Sequence, residues 1–471
     1  MAITSMSFLF FFLPLALFVY YFADDKAKEL VLLLLSIVFY AIGSIQYIVL
    51  FSVAVFLSVL IGRGIGRFSD KTAAKKCLLV LGILINVALL GYYKYSGFAL
   101  STWGKIISKN IRIKDIALPL GISFFTFKSI SYLVDIFKGK AELSENPIHD
   151  AVYLSFFAQV QSGPLSRYND MTAGEQKKFN SALLSDGVYR FMIGFSKKVL
   201  LANVLSNITT EVFNTPLDSF STAYAWLGSV CYSLQLFFDF AGYSDMAIGI
   251  SEMFGYKCPE NFNYPYMTES VARFWRRWHI TLSEWFRDYV YIPLGGSRNK
   301  RILKVYFNLF VVWLLTGIWH GAAWSFIFWG LGYYVAIALE RMLNLPSRLK
   351  KPWSVLYRIP VLLFINFQWV LFNSPDLKFG LRYIKRMILP YSNELKNRRT
   401  LFLIKDYRLF IVIAIILCTP VVTTIAKKLE KRKVIGLLFE GLVALVVIGA
   451  FIWSVSFVVA GQNNPFAYAN F

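Results

Sequence analysis

The feature that most constrains this chain is a set of uncharged runs longer than one membrane-spanning helix. Leu30–Gly62 continues for 33 residues without a charged side chain, and Val305–Leu339 continues for 35 without a formal charge. As one straight helix each run would measure about 50 Å, whereas the hydrocarbon core of a bilayer is about 30 Å thick. Each run must therefore be broken, and Gly43–Gln46 is the predicted turn in the first.

The composition agrees with a membrane environment. Apolar residues make up 57% of the 471 residues and charged residues only 16%, whereas charged residues make up about 25% of a soluble domain. This excludes a soluble enzyme, a disordered chain and the usual kind of nucleic-acid-binding protein, so no nucleic-acid partner is expected. The four cysteines lack metal-ligand or redox spacing, so neither a disulfide framework nor a metal site is expected.

The apolar stretches predict an all-α polytopic membrane protein with roughly a dozen transmembrane and re-entrant helices. No internal repeat and no long linker divides the chain, so residues 1–471 are predicted to form one membrane domain. Within it, residues 1–115 would form N-terminal peripheral helices, residues 116–345 the core that carries the motifs, and residues 346–471 the C-terminal helices.

Basic loops predict the orientation in the membrane. The first apolar stretch, Ser7–Phe22, has no positive leader and no small-residue cleavage site, so it is expected to remain as a span. Basic residues cluster in Arg63–Lys76 and Lys427–Lys433, which should face the cytoplasm and leave the N-terminus outside. The net charge of +22 fits cytoplasmic loops that contact anionic lipid. An alternative explanation for part of this charge is that it attracts an anionic cytoplasmic ligand, such as a coenzyme phosphate.

Three carboxylates lie in apolar stretches, where a charged side chain is energetically unfavourable. Asp239 and Asp245 lie in an apolar segment broken by glycine, and Asp135 ends another apolar stretch. Burying such a group costs about 2.5–3.5 kcal/mol on membrane-insertion scales, so each of the three is expected to have a structural or functional role. Either they pair with arginines and fix helix packing, or they line a polar cavity and orient a histidine or a basic helix.

One segment, Arg273–Tyr289, is both aromatic and cationic. Helical spacing puts its aromatic residues on one stripe, and a neighbouring polar row contains Arg276, His279, Ser283 and Arg287. The pattern predicts an interfacial or re-entrant helix with tryptophan and arginine at headgroup level. A plain surface helix with an incidental histidine is the alternative.

Histidine is scarce, so each histidine is considered as a candidate functional residue. Of the three, His149 lies in a polar stretch and is predicted to be a loop residue. His320 stands between Trp319 and Gly321 inside the second long uncharged run. Apolar surroundings favour the neutral imidazole, the form that a general base needs. A packing histidine bonded to a neighbouring carbonyl is the alternative.

These segments carry a resemblance to a known family. The chain resembles the membrane-bound O-acyltransferase superfamily, and within it the bacterial alginate O-acetylation type. The motifs that carry the resemblance are Leu118–Phe127, Ser162–Tyr168, Gly242–Gly249, Pro259–Asn263, Phe274–His279, Arg287–Gly296, Gly317–Gly321 and the tail Asn464–Phe471, in which Ala469 replaces an expected bulkier residue.

The resemblance implies a multi-helix core with a central funnel or tunnel that opens to both membrane faces. It implies an enzyme that moves an acetyl group from a cytoplasmic thioester, acetyl-CoA or a close relative, to an exported or cell-wall polysaccharide. It further implies a bacterial inner-membrane location, contact with lipid and a separate periplasmic acetyltransferase as partner. No permanently bound cofactor and no metal are expected.

The resemblance also implies roles for individual residues. The family's essential histidine maps on His320 and its second site histidine on His279. His320 would deprotonate the acceptor hydroxyl, and His279 beside Arg276 and Arg277 would position the substrate or stabilise developing negative charge. The expected supporting residues are Asp239, Asp245, Asp288 and Trp319.

Other functions stay open at this point. Within the same family, the chain could transfer D-alanine to teichoic acid. A transporter or flippase for acyl groups or lipid-linked sugars would use the buried carboxylates and histidines as a proton relay, but such proteins usually show internal repeats. A non-catalytic membrane scaffold would not need two histidines framed by tryptophan and glycine.

Overall fold

The computed structural model describes residues 1–68, 72–109, 116–172, 179–298, 301–345, 347–349, 352–389, 397–461 and 466. Over these residues the secondary structure is helical and contains no strand, which confirms the predicted all-α class. The α-helices are α1 Leu13–Phe22, α2 Lys28–Ser44, α3 Ile48–Arg67, α4 Ala73–Leu90, α5 Ser96–Ile106, α6 Ile122–Phe137, α7 Pro147–Ser155, α8 Tyr168–Thr172, α9 Ser181–Ser196, α10 Val204–Asn214, α11 Thr222–Met253, α12 Val271–Trp275, α13 Ile280–Phe286, α14 Ile302–His320, α15 Trp324–Met342, α16 Trp353–Leu356, α17 Arg358–Asn373, α18 Leu377–Ile388, α19 Arg398–Leu417, α20 Val421–Glu430 and α21 Lys433–Val459.

Several of these helices are long and apolar enough to cross a bilayer. Within the described residues five segments qualify, and the bent pair α19–α20, which turns by 60°, would add a sixth. The protein is therefore a multi-pass membrane protein, whereas the larger predicted number of transmembrane and re-entrant helices stays a prediction. The five segments are Lys28–Arg67, Ala73–Ile106, Ile302–His320, Trp353–Asn373 and Val434–Val459.

Both long uncharged runs are broken. In the first, α2 ends at Ser44 and one 3-10 turn, Ile45–Tyr47, precedes α3, so the helix is interrupted at the predicted segment. In the second, α14 ends at His320 and α15 begins at Trp324. Each run is thus divided between two helices, although α2 and α3 together form the single candidate span Lys28–Arg67.

The described chain forms two compact units. The first comprises Met1–Phe191 and Ser244–Pro259, and the second comprises Met192–Tyr243 and residues 260–466. His279 and His320 both belong to the second unit.

His149 belongs to the first unit and corrects a sequence-based expectation. It is not a loop residue: it lies in α7, is buried, and its Nδ1 is 2.9 Å from Oε1 of Glu29. The helix starts there because the Asn146 side chain caps it and Pro147 occupies its first turn.

Helices α14 and α15 pack closely because glycines face each other. A Cβ added at Gly317 would lie 2.6 Å from the carbonyl oxygen of Phe326, and one added at Gly330 would lie 2.5 Å from that of Trp313. Both distances are shorter than any real carbon–oxygen contact, so only glycine allows the two backbones to approach this closely. This packing fixes the end of α14, and therefore His320, against α15.

We expect Gly330→Ala to destabilise the protein by about 1–3 kcal/mol, because the new methyl group forces two helix backbones apart. The measurement is the thermal unfolding midpoint of the purified protein in detergent. The matched control is Gly441→Ala in α21, where nothing lies within 4 Å of the added Cβ. Equal midpoints for the two variants would contradict the packing described for α14 and α15.

Candidate functional site

His320 is the last residue of α14 and is surrounded by aromatic rings. Its side chain is buried, with 2% of the residue exposed. The centroid of its ring lies 4.9 Å from that of Trp319, 4.8 Å from that of Trp329 and 5.3 Å from that of Phe372. An imidazole in this environment is shielded from water, which strengthens its interactions with any bound group.

The end of α14 follows from the backbone after it. Gly321 and Ala323 are both extended, with φ of −170° and −147°, so the helix cannot continue. Helix α15 then starts at Trp324. His320 therefore lies at the turn between two packed helices rather than in the middle of a helix.

The aromatic and cationic segment Arg273–Tyr289 is not one helix, and that prediction is wrong. Helix α12 ends at Trp275, and α13 begins only at Ile280. Between them His279 has φ of +44°, a left-handed conformation that non-glycine residues rarely adopt. The polar row expected at helical spacing does not form across this break.

Hydrogen bonds from a distant loop explain the break. The Asn263 N–H donates to the carbonyl of Arg277 (2.9 Å), and the Ile280 N–H donates to the carbonyl of Asn261 (3.0 Å). The carbonyl of Arg277 and the N–H of Ile280 would otherwise be available for the hydrogen bonds of one continuous helix. Strained backbone of this kind persists only where neighbouring contacts hold it, and it clusters at functional sites.

His279 lies close to Trp319. The residue is fully buried; its ring centroid is 4.6 Å from that of Phe240 and 6.1 Å from that of Trp319. Since Trp319 also contacts His320, the structure brings the three predicted residues together; we call them the histidine site. His279 lies outside the candidate spans, and its burial lowers the pKa to about 3, so the ring is neutral at physiological pH.

The predicted cationic and acidic neighbours of His279 are directed elsewhere. Arg276 is exposed, and Arg277 donates from Nη1 to the carbonyl of Met267 (3.0 Å). Asp288 pairs with the exposed Arg287, whose Nε is 2.7 Å from Oδ1. These interactions do not involve His279, so the supporting roles expected of these side chains stay predictions.

The two carboxylates of α11 form ion pairs with α9 and the segment that follows it. Asp239 pairs with Lys198, and both side chains are at most 3% exposed. In the first unit, Asp245 is 3.0 Å from Nη2 of Arg190. The helix-packing interpretation therefore applies to both, and Asp239 has a further link because Phe240, the next residue, contacts His279.

Three residues important for the site's geometry escaped sequence reasoning. Lys198 could have been found as a charge inside an apolar stretch. Glu340, the charge that ends the second uncharged run, accepts from the backbone N–H groups of Val271 (2.7 Å) and Ala272 (3.1 Å) at the start of α12. Asn261 lies within a predicted motif, but its contact with His279 spans 18 residues and has no local signal.

Comparison with known families gives a match over most of the chain. The family model described as "MBOAT, membrane-bound O-acyltransferase family" matches residues 45–382, more than two thirds of the chain. The chain belongs to the membrane-bound O-acyltransferase family. Both histidines and Trp319 lie within the matched region, whereas the predicted tail motif Asn464–Phe471 lies outside it and, except for Phe466, outside the described residues.

Individual acyltransferases are similar to this chain over different shares of its length. "Probable alginate O-acetylase AlgI" of Pseudomonas aeruginosa is 38% identical over 396 residues, which cover 82% of this chain and 75% of that protein. "Peptidoglycan O-acetyltransferase" of Helicobacter pylori is 36% identical over 421 residues, covering 81% and 78%. "Teichoic acid D-alanyltransferase" of Bacillus subtilis is 35% identical over only 231 residues, covering 46% and 57%. This chain is accordingly an acyltransferase enzyme.

Proposed function

We propose that this enzyme takes an acetyl group from a cytoplasmic thioester, acetyl-CoA, and passes it across the membrane for O-acetylation of an exported or cell-wall polysaccharide. The observation that carries the proposal is the histidine site itself, two buried imidazoles that both lie next to Trp319, at the end of a helix long and apolar enough to span a membrane. The names of the relatives that match along most of the chain support acetyl transfer to a polysaccharide.

In the proposed reaction His320 is the general base. It removes the proton of an acceptor hydroxyl while that oxygen attacks the thioester carbonyl carbon. A carbon–oxygen bond forms, the carbon–sulfur bond breaks, and the proton held by His320 returns to the leaving thiolate. The rings of Trp319, Trp329 and Phe372 exclude water, which would otherwise hydrolyse the thioester.

The remaining parts of the proposal concern the surroundings of the site. We place the enzyme in the bacterial inner membrane, with the N-terminus outside and the basic loops at the cytoplasmic face, where they attract coenzyme phosphates. A funnel leads the donor to the histidine site, and a separate periplasmic acetyltransferase receives the acetyl group. The charge distribution of the sequence supports this orientation.

Acetyl-CoA and a D-alanyl carrier protein should give different results as donors. We expect the protein, purified in detergent, to transfer label from [14C]acetyl-CoA to a polysaccharide or to the partner acetyltransferase. We expect no transfer of labelled D-alanine from its carrier protein to teichoic acid, because the two teichoic acid relatives cover 46% and 58% of this chain, less than the 82% and 81% covered by the two O-acetylation relatives. D-alanyl transfer without acetyl transfer would replace the proposed function by that alternative.

A further inference from the structure

The two ring nitrogens of His279 have different surroundings. Nδ1 is 3.0 Å from Oδ1 of Asn261, a hydrogen-bonding distance between two buried side chains. Nε2 is also buried, and within the described part of the chain it forms no hydrogen bond. Burying a nitrogen without a hydrogen bond costs free energy, unless a bound group forms a hydrogen bond with that nitrogen.

The neighbours of Asn261 identify which amide atom faces Nδ1. The same atom of Asn261 accepts from the hydroxyl of Thr281 (2.9 Å) and from its backbone N–H (3.4 Å). A backbone N–H can only donate, so the atom that it meets must be the amide oxygen and not the amide nitrogen. The oxygen in turn can only accept, so Nδ1 of His279 must carry a proton.

The proton on Nδ1 determines the state of Nε2. Because burial holds the ring neutral, it carries one proton only, and Nε2 keeps its lone pair. A lone pair accepts a hydrogen bond and cannot donate one to an oxyanion. The structure therefore opposes the expectation that His279 stabilises developing negative charge.

We propose that Asn261 is a positioning residue that holds His279 in its Nδ1–H tautomer, so that Nε2 accepts a hydrogen bond from an O–H or N–H group of a substrate. This assignment rests on the proposed function only in naming the substrates. The reacting thioester carbonyl has no proton to donate, so the bonded group is either a sugar hydroxyl of the acceptor or an amide N–H in the pantetheine arm of the donor. His320 remains the base.

Backbone contacts make Asn261 suited to this task. Its carbonyl accepts from the N–H of Ile280, directly after His279, while its side chain fixes the imidazole and Thr281. One residue therefore holds both the left-handed backbone and the ring of His279. The side-chain part is separable by substitution, since the backbone bond remains in any variant.

The scarcity of histidine allows a direct test by NMR. The full-length protein in lipid nanodiscs, labelled with 13C,15N-histidine, should give three imidazole signals, and His149→Gln and His320→Gln assign that of His279. Ring shifts distinguish the two neutral tautomers from each other and from the charged form. We expect the Nδ1–H tautomer between pH 5 and 8; an Nε2–H tautomer or a charged ring in the wild type would overturn the proposal.

Two variants of Asn261 separate positioning from folding. Asn261→Ala should shift His279 toward the Nε2–H tautomer and lower acetyl transfer by about 10- to 100-fold, as expected when a buried hydrogen bond is lost. Asn261→Asp keeps an acceptor at Nδ1 and should retain the tautomer. Its carboxylate raises the pKa of His279, so activity should now fall at acidic pH as the ring gains a second proton. If neither the tautomer nor the pH profile changes in these variants, Asn261 is structural only.

Adding ligands identifies the bound group. Coenzyme A supplies the amide donors and a short acetyl-free oligosaccharide of the acceptor supplies the hydroxyls; whichever moves the Nε2 signal is the group that His279 binds. No movement with either ligand would contradict the binding role. A wild-type protein that shows the Nδ1–H tautomer but transfers no acetyl group would refute the proposed function and leave the role of Asn261 intact.

Discussion

His320→Gln is expected to lower acetyl transfer by about 10²–10⁴-fold, the range typical for loss of a general base. Glutamine is close to histidine in size and retains polar atoms, but it cannot take up a proton. Glutamine also keeps contact with the surrounding rings of Trp319, Trp329 and Phe372, so the variant should remain folded. The measurement is the initial rate of label transfer from acetyl-CoA per folded molecule, counted by size-exclusion chromatography in detergent.

His149→Gln provides the matched control. It replaces a buried histidine of the first unit, whose partner Glu29 belongs to the same unit. Loss of that pair should lower the thermal midpoint while the rate per folded molecule stays close to the wild type. A His320→Gln rate within threefold of the wild type would show that His320 is a packing histidine.

Breaking the Lys198–Asp239 pair is expected to have the largest effect on stability. Both side chains are buried, and removing one partner of a buried pair costs about 3–5 kcal/mol, because the remaining charge stays in apolar surroundings. We therefore expect Asp239→Asn and Lys198→Met each to lower the thermal midpoint sharply. The double variant should recover much of the loss, because it leaves no charge to bury.

An exposed ion pair provides the comparison for these single and double variants. Arg273 and Glu269 also approach closely, but their side chains are 54% and 35% exposed. Such pairs contribute about 0–1 kcal/mol, so Arg273→Gln, which leaves the second partner of Glu269, Arg358, in place, should leave the midpoint almost unchanged. If the single variants at Asp239 and Lys198 behave like Arg273→Gln, the buried pair does not support the helices beside the histidine site.

Local patterns predicted the helical framework well. Apolar run length against bilayer thickness was enough to place the helix break near Ser44 and to require one within the second run. The same reasoning failed at Arg273–Tyr289, where periodicity favoured one helix. The break there is made by hydrogen bonds from Asn261 and Asn263, and the periodicity of a segment carries no information about bonds from another loop.

The site was predictable in its principal residues but not in their partners. Rarity and sequence context were sufficient to select His279, His320 and Trp319, which the structure places together. Proximity in sequence suggested Arg276 and Arg277 as neighbours of His279, but Arg276 is exposed and Arg277 donates to the carbonyl of Met267. One of the two alternatives for Asp239 was a pair with an arginine; the partner is a lysine, Lys198, 41 residues away, a distance at which sequence spacing no longer determines contact.

Transfer across a sealed membrane tests the central claim most directly. The protein is reconstituted into proteoliposomes with [14C]acetyl-CoA outside and the acceptor, a polysaccharide or the periplasmic partner, enclosed within. The account predicts labelled acceptor inside vesicles that carry the wild-type protein, and little label inside those that carry His320→Gln. Equal labelling by both proteins, or labelling only when the vesicles are broken and the acceptor meets the donor on one side, would contradict it.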